Sequence, residues 1–138
     1  MTSPIDLFAA FATDTPKEQE GVETQLPGCG DTKFRIAREN NKAYSKLLQK
    51  LVKQNRAILD SKGDAAETKS DQIMVEVMAS TILLGWEGEI SYKGAKHKYS
   101  KEMAKTLLAH KEFALAVMRV AGAMETFKLV KDEDEEKN

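Results

Sequence analysis

Two histidines, one cysteine and a run of cations are the side chains in this sequence that could do chemistry. Proton transfer or metal binding would fall to His97 and His110, because imidazole titrates near neutral pH. A catalytic role needs a nucleophile and an orienting carboxylate beside the ring, and the sequence sets neither histidine in such an arrangement. Zinc sites announce themselves by His or Cys pairs at short spacing, whereas these histidines lie in different segments and Cys29 stands alone. Gly28-Cys29-Gly30 lacks the Gly-Lys-Ser ending and the glycine fingerprint of phosphate-cradling loops, and Pro27 before it suits a turn. A reactive thiol at Cys29 would require a fixed cation beside it. The expectation is a protein without catalytic residues, metal or cofactor.

Binding chemistry is better represented. Lys33, Arg35, Arg38, Lys42, Lys46, Lys50, Lys53 and Arg56 are interrupted by a single acid, Glu39. Such a series can hold phosphate backbones or form a solvated face or a protein contact. Aromatic residues for base stacking are confined to Phe34 and Tyr44, which periodicity assigns to packing. The acids at residues 132–136 could lie on this basic patch, in the same chain or a neighbouring copy. A second candidate is the apolar stripe of Phe113, Val117, Val120, Met124 and Phe127, spaced alternately by four and three. It reads as core, or as a groove for a partner helix, in which flexible methionines such as Met118 and Met124 repack against varied surfaces. Phe113, Met118, Met124, Phe127, Lys42, Lys46, Lys50 and Lys53 are the candidate partner-binding residues.

The elements that must position these residues follow from pattern. The chain has 138 residues, 41% apolar and 31% charged, with a net charge of -1, which suits one ordinary domain and argues against disorder or bulk-charge coating of nucleic acid. A lone cysteine excludes a disulfide-stapled scaffold. Met1 to Phe11 has no basic leader, which points away from export, and Ile73 to Trp86 is too short and too charged to span a membrane. Ser3 and Pro4 predict a capped helix through Phe11, followed by a mobile linker to Gly21. Alternation over Val22 to Leu26 and Lys33 to Ala37, around a Pro-Gly turn, predicts a hairpin. Helical spacing then runs from Asn40 or Asn41 to about Asp60, and a second helix, capped by Ser70 or Asp71, carries Ile73, Val77, Met78, Ile82, Leu83 and Trp86 at the centre of the core. Glu89 to Tyr99 reads as a loop or a small second hairpin. Ser100 caps a short helix, and the stripe to Phe127 forms the last. The fold class expected is mainly α, a single domain of about four to five helices with one or two small β-hairpins. Its parts are residues 1–21 as helix and linker, 22–130 as the helical domain, and 131–138 as a disordered acidic tail.

Phe34-Arg35-Ile36-Ala37-Arg38-Glu39-Asn40-Asn41 leading to Tyr44-Ser45-Lys46-Leu47-Leu48, then Ile82-Leu83-Leu84-Gly85-Trp86-Glu87-Gly88, then Tyr99-Ser100-Lys101-Glu102 and Leu107-Leu108 occur in this order. Together they resemble the tail assembly chaperones of long, non-contractile-tailed bacteriophages, over roughly residues 30 to 128. The resemblance implies a non-enzymatic, mainly helical, self-associating protein of the infected bacterial cytoplasm, absent from the mature virion. It implies binding and solubilisation of the tape measure protein and recruitment of tail tube subunits. It also implies a longer product of programmed frameshifting that contacts the tail tube protein, this chain being the short form. The alternative from the residues themselves is a small nucleic-acid-binding phage regulator using the Lys42 to Arg56 face.

Overall fold

Ile82-Leu83-Leu84-Gly85-Trp86, predicted as the last turn of a helix, is where the fold departs from expectation. In the computed structural model, which describes residues 4–129, helix α5 (Asp64–Thr81) ends one residue earlier and Leu83–Trp86 is a strand, β3. A short apolar run is equally consistent with a buried strand and a helix turn, and the neighbouring hairpin decides between them. That hairpin, β1 (Val22–Gln25) with β2 (Lys33–Ile36), forms where alternation predicts it, with Val22 opposite Ile36 and Gln25 opposite Lys33. Its inner strand leaves an unpaired edge, and β3 fills it antiparallel, with Phe34 opposite Trp86 and a bulge between Arg35 and Ile36. The resulting sheet has the order β1-β2-β3.

The mainly α expectation of four to five helices is therefore replaced by a mixed α/β fold, with seven α-helices and five strands in two antiparallel sheets among the described residues. Along β2 the side chains alternate, Lys33 and Arg35 outward, Phe34 and Ile36 buried, the period-two signature of a sheet with one covered face. The second sheet is the hairpin of β4 (Glu89–Tyr92) and β5 (Ala95–Lys98). Lys93 and Gly94 both take positive φ, 50° and 83°, as a two-residue turn matching the strand twist requires. Trp86 fastens this hairpin to the core: its indole N–H donates to the His97 carbonyl at 3.2 Å, and its ring meets Tyr99 edge-on.

Helix α3 (Lys42–Gln54) begins at the expected asparagine and stops before the expected end, because Asn55 turns back to donate its amide N–H to the Leu51 carbonyl at 2.8 Å. Helix α4 (Arg56–Asp60) continues the path. Asn41 does more than cap. Its Oδ1 accepts from the Tyr44 N–H at 3.0 Å, while its Nδ2 donates to the carbonyls of Arg38 at 2.7 Å and Thr81 at 3.1 Å. The start of α3 and the end of α5 are thereby held by one buried side chain. As expected, α5 is central, packing on α3, α4, β3 and helix α6 (Lys101–Leu108). Ser100 caps α6 through the Met103 N–H at 3.0 Å. Helix α7 (Lys111–Ala121) ends at Gly122, and a 3-10 turn (Met124–Phe127) carries the remainder of the predicted stripe.

The amino-terminal segment also differs from expectation. Helix α1 (Leu7–Phe11) is capped by Asp6, three residues after the predicted Ser3 cap, which lies outside the described residues. Thr15–Glu20, predicted as linker, is helix α2, capped by Asp14 with Pro16 in its first turn. Its helicity is secured by tertiary contacts that local pattern does not encode. Glu18 pairs with Arg38 at 2.9 Å and accepts the Thr13 hydroxyl at 2.9 Å, and the Asp14 N–H donates to the Phe127 carbonyl at 2.8 Å. The Leu129 N–H donates to the Ala12 carbonyl at 3.1 Å, so the two ends of the described chain meet. The expected tail, residues 131–138, lies outside the described residues.

Asn41→Ala removes a cap, worth about 1 kcal/mol, and strands two carbonyls at about 1–3 kcal/mol where buried. The expected loss in urea denaturation is about 2–4 kcal/mol. Asn41→Asp keeps the cap acceptor but sets a carboxylate against both carbonyls, so it should not restore the midpoint.

Candidate interaction surfaces

His110, His97 and Cys29, the side chains with the most reactive chemistry, each make defined contacts. His110 lies exposed at the start of α7, with Nε2 2.6 Å from the Tyr92 hydroxyl and the rings 5.7 Å apart edge-on. The contact ties β4 to the α6–α7 junction. His97 is half-buried in β5 and contributes its carbonyl to Trp86. Cys29 is half-buried against the core, and its N–H donates to the Leu26 carbonyl at 3.0 Å. Gly28 and Gly30 beside it have φ of 80° and 62°, as a tight turn demands. No three His, Cys, Asp or Glu side chains gather at metal-holding geometry among the described residues, and no described helix is long and apolar enough to cross a membrane.

The basic series divides in two. Arg35 and Arg38 are engaged with Glu23 at 3.1 Å and Glu18 at 2.9 Å. Lys42, Lys46, Lys50 and Lys53 are exposed along α3, with Arg56 exposed at the start of α4, and none makes an ion pair among the described residues. Steps of four, four and three keep the lysines on one side of the helix, away from Tyr44, Leu47, Leu48 and Leu51, which pack on the core. A helix of this length presents a cationic stripe about 20 Å long.

The predicted apolar candidates do not form one surface. Phe127 is 0% exposed; its carbonyl accepts from the Asp14 N–H at the cap of α2, and of the two readings of the stripe it takes the core one. Phe113 is half-buried, stacked edge-on against Phe34 at 5.8 Å. With Cys29, Ile90 and Leu107 it lines a groove of about 380 Å3 beside β4. Met118 is half-buried on the core, and Met124 is half-buried in the 3-10 turn. The break at Gly122 separates what an unbroken helix would have aligned.

The largest apolar exposure lies in α1 and the residue before its cap. Ile5, Leu7, Phe8 and Phe11 are 76%, 61%, 80% and 63% exposed, and Leu129, bonded to Ala12, is 51% exposed. Several large apolar side chains exposed in one short segment are a candidate protein contact site. Burying such side chains against a partner is worth about 1.5–3 kcal/mol each. The apolar run of α1 is legible in the sequence, but its exposure is not, since a helix apolar on every side ordinarily signals burial.

Electrostatics join α5 to α6 through Glu76. Its Oε1 lies 3.2 Å from Lys101 Nζ and its Oε2 2.9 Å from Lys105 Nζ, the latter an ion pair at angles outside hydrogen-bond geometry. The Lys105 ammonium first, and Lys101 with it, holds the Glu76 carboxyl below its usual range against partial desolvation, and Glu76 raises Lys105 in turn. Burial pushes the Tyr44 and Tyr99 phenols upward, aided at Tyr44 by Glu39.

The family model of YdaY prophage proteins matches residues 39–138, from the entry to α3 onward. No curated protein and no solved structure matches the chain.

Two outcomes follow from these surfaces. Phe8→Asp and Phe11→Asp should leave the unfolding free energy from urea denaturation within about 0.5 kcal/mol of the parent, whereas Phe127→Ala should cost about 3–5 kcal/mol. For Glu76, the unfolded chain takes up the proton first as pH falls. The stability advantage over Glu76→Gln should be complete above about pH 4.3 and disappear as pH drops through the lowered folded value, as denaturation at stepped pH would read.

Proposed function

We propose, because this chain belongs to the YdaY prophage protein family and is phage-derived, that it is a non-enzymatic tail assembly chaperone. In this reading it binds and solubilises the tape measure protein in the host bacterial cytoplasm, helps recruit tail tube subunits, self-associates, and is absent from the mature virion. A longer frameshifted form would make the main contact with the tail tube protein. The observation that carries the reading is the exposed apolar surface of Ile5, Leu7, Phe8 and Phe11. An amphipathic client helix laid against it would bury its own apolar face, the usual helix-in-groove economy of recognition. Many such contacts along one extended client raise the overall affinity by tethering. The groove beside Phe113 offers a second apolar contact, with Met118 and Met124 as further candidates.

A second reading, a nucleic-acid-binding regulator, is favoured by one observation, the exposed stripe of Lys42, Lys46, Lys50 and Lys53, which makes no ion pair among the described residues. The two readings differ in salt response: phosphate contacts weaken steeply with ionic strength, and apolar contacts do not.

The deciding experiment is coexpression with the tape measure protein encoded beside this gene, followed by size-exclusion chromatography with light scattering. A soluble complex with several copies per tape measure, lost in Phe8→Asp/Phe11→Asp and retained in Lys46→Gln/Lys50→Gln, is the expected result. A tape measure protein that is soluble alone and never coelutes would sink the chaperone reading.

A further inference from the structure

We propose that the acidic segment Asp132, Glu133, Asp134, Glu135 and Glu136 docks along the cationic stripe of α3 in its own chain, covering it against anionic ligands. Three observations converge. The stripe presents five exposed cations, Lys42, Lys46, Lys50, Lys53 and Arg56, without ion-pair partners among the described residues. The sequence supplies a matching run of five acids beginning three residues after Leu129.

The third is where the chain leaves the fold. Leu129 is bonded to Ala12, Phe127 to Asp14, and Glu18 of the following helix to Arg38, four residues before Lys42. The Glu39 N–H also donates to the Ala121 carbonyl at 2.9 Å, which brings the carboxy-terminal part of the domain to the entry of α3. At full extension the five acids would span about 14 Å, close to the about 17 Å that separates Lys42 from Lys53 along α3, and the last of them could reach about 25 Å from Leu129.

A short tether sets an effective local concentration of order millimolar, which favours the chain's own stripe over a neighbour's. Each exposed pair is individually weak, so the contact is a set of exchanging pairs that salt disperses once the screening length falls below their spacing. Phosphate oxygens would compete for the same ammonium groups. The proposal does not rest on the chaperone reading: the apolar surface of α1 takes no part in it.

The test compares the full-length chain with its full-length variant D132N/E133Q/D134N/E135Q/E136Q by amide NMR at about 20 mM and about 500 mM salt. At low salt the amides of α3 and the start of α4 should differ between the two, independently of protein concentration, and the difference should vanish at high salt. Identical α3 amides at low salt would overturn the proposal. Differences that grow with protein concentration would also overturn it, by assigning the contact to neighbouring copies. A labelled 20-base-pair DNA duplex is the second probe. The variant should bind it about tenfold more tightly than the parent, and adding Lys46→Gln/Lys50→Gln should abolish the gain. A gain that survives those lysine changes would reflect overall charge and count against docking on the stripe.

Discussion

The buried amide of Asn41 is the joint on which the remaining architecture hangs. One side chain satisfies a free N–H in the first turn of α3 and two carbonyls from separate stretches, one of them at the last residue of α5. Buried backbone groups are costly when unpaired, so this amide fixes where α5 must stop and where α3 must start. Because α5 stops at Thr81, the next residues are released to become β3. The Thr81 hydroxyl, bonded back to the Val77 carbonyl at 2.7 Å, completes the termination. Helix and sheet are therefore coupled at a point: the Ala37 N–H donates to the Ile82 carbonyl at 2.8 Å directly beside it.

Much of this was legible in the residues and some was not, for identifiable reasons. The β1–β2 hairpin, the caps at Asn41 and Ser100 and the central place of α5 are local signals, carried by alternation, turn residues and side chains within one helical turn. Leu83 to Trp86 was ambiguous because its strand character resides in an edge offered by β2, a partner far along the chain. Thr15–Glu20 was opaque for the same cause, its helix being stabilised by Arg38 and Phe127. Among the candidate site residues, the lysines of α3 lie on one exposed face as periodicity implies. Phe127 follows the core reading of its stripe, and the continuous groove was not legible as broken because a stripe extrapolated across Gly122 assumes a straight helix. The apolar side chains of α1 were visible in the sequence, yet only the fold shows that nothing among the described residues covers them.

Charge and apolar surface are kept apart. Cations occupy α3, whose inner side packs on α5, while most of the exposed apolar side chains belong to α1 and its flank and to Leu129, with Leu115 exposed separately on α7. Such separation lets one partner be held by desolvation and another by charge with little mutual interference, since contacts without shared groups are close to additive.

The meeting of residues 12–14 with 127–129 has a mechanical consequence. The pairing is antiparallel, Thr13 opposite Lys128, and both chain ends depart from the Ala12–Leu129 side. Tension applied between the two ends would therefore open the bonds one after another, like a zip, rather than load them together in shear. This clip lies in series ahead of the three-stranded sheet and would open first, freeing the start of α2 while β1, β2 and β3 still hold. A molecule tugged by its termini would change shape in steps, surrendering its periphery before its centre.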